Sequence, residues 1–146
     1  MDKEFAIIVN TLWKKCIKNL NTLLSEEEAA KFSNNDYYYL MIIESLGQAN
    51  FTEIAETLQV TKPAVSAIIK KLSRLGLVEK IQSEVDKRIS YVQITPKGKS
   101  ILEGDVKIYS SIVDLIRNIV KNKEEYEIIE RVIKELANII ELKEEL

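Results

Sequence analysis

Histidine is absent from this chain. That removes Ser–His and Cys–His nucleophilic pairs and any histidine-built zinc site. Cysteine occurs once, as Cys16, so no intramolecular disulfide can form and a reducing compartment is expected. The four glycines form neither a phosphate-cradling loop nor a dinucleotide fingerprint. With only two prolines beside them, helix breaks are few and long helices are expected. No apolar run approaches the roughly 20 residues of a membrane span. The N-terminus carries acids early and lacks the apolar stretch of a secretion signal. These absences argue against an enzyme, a metal centre, a cofactor or a membrane partner, and a cytoplasmic location is expected.

What is present is ordinary for a folded domain. The 146 residues are 46% hydrophobic and 30% charged, enough for one domain or two tightly joined lobes with a real core. The formal charge of −2 speaks against nucleic acid, whose partners are usually basic. The distribution speaks the other way. Residues 61–88 hold seven cations (Lys62, Lys70, Lys71, Arg74, Lys80, Lys87, Arg88) and three anions (Glu79, Glu84, Asp86), which makes them +4 and the remainder −6. An acidic body with a basic tip directs that tip at phosphate. Chance clustering on a solvated surface is the alternative.

Hydrophobic spacing predicts a first helix over residues 3–24 and a short helical turn after Ser25, which has capping-box spacing to Glu28. The polar cluster at residues 33–36 precedes a helix over 36–46. Thr52 is read as the N-cap of a helix over 53–58. Thr61 caps the next, with Pro63 in its first turn and Gly76 as its left-handed end. Residues 77–81 and 89–94 alternate as half-buried strands joined by a charged loop. Thr95 and Pro96 open a long helix to about residue 121. Asn122 and Glu125 start a last one to about residue 143. Both terminal helices carry apolar residues over more than one face, and each such face must be buried. The expected fold is mainly α with a small β-hairpin wing: a winged helix-turn-helix over 35–96, with N- and C-terminal helices (1–34 and 97–146) forming a dimerisation lobe. A homodimer built on those helices is expected; a monomeric bundle in which they cover each other is the alternative.

In the helix after Thr61, spacing turns Val65, Ile68, Ile69 and Leu72 inward. Lys62, Ser66 and Lys70 then line an outward strip, with Pro63 and Ala67 beside it. Such a strip fits a major groove, where Lys donates to guanine or phosphate and Ala packs on a thymine methyl. Lys71 and Arg74 lie further round, towards phosphate. In the hairpin loop, Asp86 is close enough in sequence to restrain the guanidinium of Arg88 beside Lys87. A restrained arginine suits a narrow minor groove. Double-stranded DNA is therefore the expected partner. A winged helix that uses its basic face for a protein is the competing reading.

Residues 35–101 resemble the MarR family of bacterial transcriptional regulators. The resemblance is carried by Glu53-Ile54-Ala55, by the stretch from Val60 to Ser66, by Gly76-Leu77-Val78, by Asp86 and Arg88 two apart in the wing, and by Ile94-Thr95-Pro96-Lys97-Gly98. It implies a dimeric regulator, usually a repressor, on a pseudo-palindromic operator with half-sites roughly 10 base pairs apart. It also implies that Arg88 meets the minor groove and that a small molecule or oxidant releases the DNA.

For that signal the residues leave several readings open. Cys16 lies near Lys14, Lys15 and Lys18, which can lower a thiol pKa; a packed small hydrophobe is the plainer reading. Tyr37, Tyr38 and Tyr39 face three directions around one helix. With Trp13 and Met41 they are candidates for a pocket taking a small aromatic effector. Core and interface packing explains the same residues without a ligand.

Overall fold

Ser33 and Asp36 show how this chain starts its helices. The Ser33 hydroxyl accepts from the Asp36 N–H at 3.2 Å, and the Asp36 carboxylate accepts from the Ser33 N–H at 2.7 Å. Two donors that a helix start leaves unpaired are thereby satisfied. The computed structural model describes residues 1–144, with side chains described through residue 141. Its elements are α1 (Asp2–Leu23), α2 (Glu26–Lys31), α3 (Asn34–Leu46), β1 (Ala49–Asn50), α4 (Phe51–Leu58), α5 (Lys62–Arg74), β2 (Val78–Gln82), β3 (Ser90–Ile94), α6 (Pro96–Ile119) and α7 (Lys123–Glu144).

Two starts differ from expectation for the same reason. Helix α3 begins at Asn34 because Ser33 is the cap and Asp36 the third helical residue. Helix α4 begins at Phe51 because Asn50, not Thr52, is the cap. The Asn50 side chain accepts from the N–H groups of Thr52 and Glu53 at 2.9 and 3.0 Å, and Glu53 returns a bond to the Asn50 N–H at 2.7 Å. A short amide carried on an extended residue reaches both donors, and Thr52 is left inside the first turn.

Helix α5 begins as expected, with Thr61 Oγ1 accepting from the Ala64 N–H at 3.3 Å. Its end is a Schellman arrangement: Gly76 takes φ +71°, its N–H bonds Ser73, and the Leu77 N–H bonds Leu72. Strands β2 and β3 pair antiparallel from Val78 opposite Ile94 to Gln82 opposite Ser90. Strand β1 adds a third member to the sheet, in the order β1-β3-β2, through Ala49 opposite Val92. The expected wing had two strands. A two-residue strand carries no readable alternation, and only the unpaired edge of β3 defines it.

The chain divides into two compact units, Met1–Val106 and a second from Lys107 onward. In the first, Leu40, Ile43, Ile54, Val65, Leu72, Leu77, Val92 and Ile101 are completely enclosed. Helix α1 is held to the start of α6 by Asn19, whose amide donates to the Ile101 carbonyl at 3.1 Å and to the buried Asp105 carboxylate at 3.0 Å. Gly104 makes room for that amide: a β-carbon there would lie 2.3 Å from it. Leu20 and Leu23 near the end of α1 pack against the core, whereas Phe5, Ile7, Ile8, Val9 and Trp13 are exposed.

In the second unit, Arg117 bonds Asp114 at 2.9 Å and lies over the Tyr126 ring at 5.6 Å. At the start of α7 the Asn122 side chain accepts from the Glu125 N–H, but Glu125 returns its bond to Lys121, one residue before the expected partner. Ile128, Val132, Ile133, Leu136, Ile139 and Ile140 remain exposed along α7.

Candidate nucleic-acid interface

Helix α5 is amphipathic in the sense needed to present one face. Val65, Ile69 and Leu72 are buried, and Ile68 packs beside them against the core. Helix α4 braces it from the preceding turn through the buried Ile54 and Ala55, and the Val60 N–H closes that turn on the Ala55 carbonyl at 3.0 Å. Thr61, Lys62, Pro63, Ser66, Ala67, Lys70 and Arg74 are all exposed. The outward strip expected from spacing is therefore present, with Lys62, Ser66 and Lys70 one turn apart.

Lys71 departs from expectation. It does not join the outward cations; its Nζ lies 2.5 Å from Asp36 Oδ2 on α3. The Asp36 side chain is 4% exposed and that of Lys71 42%. Asp36 also accepts from the Ser33 hydroxyl at 2.7 Å. Burial pushes the Asp36 carboxyl up. The Lys71 hydrogen bond, the Ser33 N–H and hydroxyl, and the Lys71 charge together outweigh burial and hold it below the ordinary aspartate value. The partners lie 35 residues apart, so no local spacing rule pairs them.

The wing loop is ordered by its own side chains. Gln82 donates to the Lys87 carbonyl at 2.6 Å, and the Ser83 hydroxyl accepts from the N–H groups of Val85 and Asp86. Asp86 Oδ1 accepts from the backbone N–H of Arg88 at 2.9 Å. This corrects the expected restraint: Asp86 holds the Arg88 main chain, not its guanidinium. An aspartate two residues before an N–H makes this turn more readily than it reaches the end of a long side chain. Lys87 and Arg88 are left exposed at the tip.

The expected effector residues differ in exposure. Tyr37 and Tyr39 pack against the core, whereas Tyr38 and Met41 face solvent. The Tyr38 and Tyr39 rings are 6.1 Å apart. Trp13 is exposed on α1 and Cys16 is half-buried there. An open groove runs beside α5 and α2, lined by Glu28, Lys31, Ala67, Lys70, Lys71, Arg74 and Leu75. Glu28 and Lys31 are thus additional residues beside the basic face, brought there by a chain reversal that local patterns do not encode. Among the described residues no cluster of His, Cys, Asp or Glu can hold a metal ion, and no helix is long and apolar enough to cross a membrane.

The sequence profile of the MarR family matches residues 32–90, the stretch that holds α3, α4, α5 and the wing loop. The chain belongs to the MarR family. It is a transcriptional regulator, not an enzyme. This MarR-family chain is 28% identical over 114 residues to the HTH-type transcriptional regulator BilQ of Clostridioides difficile, covering 76% of each. Its fold is similar to that of S. aureus MepR in a MepR–DNA complex, with a TM-score of 0.68, 19% identity, and coverage of 95% of this chain and 99% of that one. Streptococcus pneumoniae FabT, solved in complex with DNA, aligns with a TM-score of 0.61 at 21% identity over 96% of this chain and 94% of that one.

Proposed function

We propose that this MarR-family regulator is a repressor that binds a pseudo-palindromic operator as a homodimer. Helix α5 enters the major groove, and the tip of the wing lies over the adjacent minor groove. The observation that carries the reading is the exposed strip Lys62, Ser66 and Lys70 on a helix whose opposite side is locked into the core. Lys62 and Lys70 donate to base acceptors or phosphate, Ala67 offers a methyl contact, and Arg88 supplies the wing cation. The DNA-bound state of MepR and FabT, which share this fold, supports it.

The dimer follows from exposed apolar side chains. Those of α1 and those of α7 are exposed among the described residues, and a second copy covers them at once. Release by a small molecule or an oxidant belongs to the same reading, acting on the spacing of the two recognition helices. The experiment is binding to random and operator duplexes across a salt series. Affinity falls steeply with salt, and Lys62→Ala and Arg88→Ala each weaken operator binding about tenfold or more while the melting temperature holds. A dimer that binds no duplex even at low salt sinks the proposal in favour of a protein-interaction module.

A further inference from the structure

Apolar contacts of Val65, Ile69 and Leu72 hold α5 against the body, and Lys97 Nζ ties its end through the Leu75 carbonyl at 3.0 Å. A further polar contact ties its side to α3 and adds the direction that apolar attraction lacks. Lys71 Nζ reaches Asp36 Oδ2 at 2.5 Å, and that same oxygen accepts from the Ser33 N–H and hydroxyl, each at 2.7 Å. Asp36 is thus fixed by the cap of α3 before Lys71 meets it. Ser33 follows directly on Phe32, the residue that closes α2, and Phe32 packs against the core. Lys71 stands next to Lys70 in the groove wall, yet its charge is turned inward onto a carboxylate with 4% exposure.

Resting on the DNA-binding reading above, we propose that Asp36 and Lys71 are a positioning pair that fixes the rotation of the recognition helix. They touch no DNA themselves and govern discrimination between operator and random sequence. Base-edge hydrogen bonds depend on placement to a fraction of an ångström, whereas contacts to phosphate survive small rotations. A pair that sets rotation therefore moves specificity, and a lysine that touches phosphate moves all affinities together.

The test uses the full chain and two duplexes of equal length: one selected by the wild-type protein from a random pool, one of scrambled sequence. Lys71→Gln keeps the length and polarity of the side chain and removes its charge. Binding of the selected duplex weakens tenfold or more, random-duplex binding stays within about twofold, and the salt dependence keeps its slope. Combining Lys71→Gln with Asp36→Asn adds little to either change alone, as expected of coupled partners. Equal losses on both duplexes, with a salt slope reduced by about one per subunit, would make Lys71 a phosphate contact and overturn the proposal. Unchanged binding of both overturns it as well. If Asp36→Asn fails to fold, Lys71→Gln still decides. Wild-type protein that selects and binds no duplex removes the DNA reading itself, an outcome separate from those of the variant.

Discussion

Gly98 lies so close to Leu77 that a β-carbon on it would meet the Leu77 carbonyl oxygen at 2.3 Å and Ile94 Cγ1 at 2.8 Å. The same carbonyl accepts from the Thr95 N–H at 3.0 Å. The Thr95 hydroxyl donates to the Gly76 carbonyl at 2.6 Å and accepts from the Gly98 N–H at 3.1 Å. One turn of α6 is thus locked against the end of the recognition helix and the root of the wing. The requirement at Gly98 is space.

Gly98→Ala is expected to destabilise the protein by about 3 kcal/mol or more, since the β-carbon collides with backbone that cannot rotate away. Gly47→Ala provides the contrast. Gly47 has φ +71° and ψ −105° with nothing within 4 Å of its missing β-carbon, so only the positive-φ backbone is strained. That costs about 1–3 kcal/mol. Urea midpoints of the two variants rank them, and a larger loss at Gly47 would contradict the close approach at Gly98.

Asp36 gives stability a defined pH dependence. Its folded carboxyl lies below the ordinary value of 3.8, held there against burial by Lys71 and Ser33. The stabilisation is therefore complete above the ordinary aspartate range and is lost as pH falls through the lower folded value. Asp36→Asn is expected to be clearly less stable than the parent at pH 7, with the gap narrowing below about pH 4. Urea unfolding at pH 7 and pH 3 measures it. A gap of equal size at both would assign the loss to cap geometry rather than charge.

Leu136 tests the subunit contact. It is half-exposed in the apolar series of α7 that includes Ile133 and Ile140. Placing a carboxylate there with Leu136→Glu is tolerated by a solvent-facing helix and not by an apolar interface. Sedimentation of the parent is expected to give a dimer and of the variant a monomer or a concentration-dependent mixture. A parent that sediments as a monomer would remove the second copy from the proposal.

The recognition helix was legible because each of its signals is local. Thr61 and Pro63 start it, Gly76 ends it, and the three- and four-residue spacing of Val65, Ile69 and Leu72 assigns its sides. Resemblance to the MarR family rested partly on this stretch, through the run from Val60 to Ser66 and Gly76-Leu77-Val78, and the match over residues 32–90 bears it out. The two displaced helix starts show the limit of local reading. Ser33, Asn50 and Thr52 are all acceptable caps by residue type, and the choice among them depends on where the chain enters the sheet and the preceding turn.

The remaining differences are contacts between segments far apart in sequence. Strand β1 exists because β3 offers it an edge. Lys71 is held in an ion pair because α3 brings Asp36 to it across 35 residues, and Gly98 is needed because the α5 terminus comes within van der Waals reach. Sequence by itself determined the helices, their polarity and the basic character of residues 61–88, since periodicity and capping act within a turn or two. Tertiary structure alone decided which cations remain free to face a partner. A lysine's role is set by the nearest carboxylate in space, and chain reversal places that carboxylate.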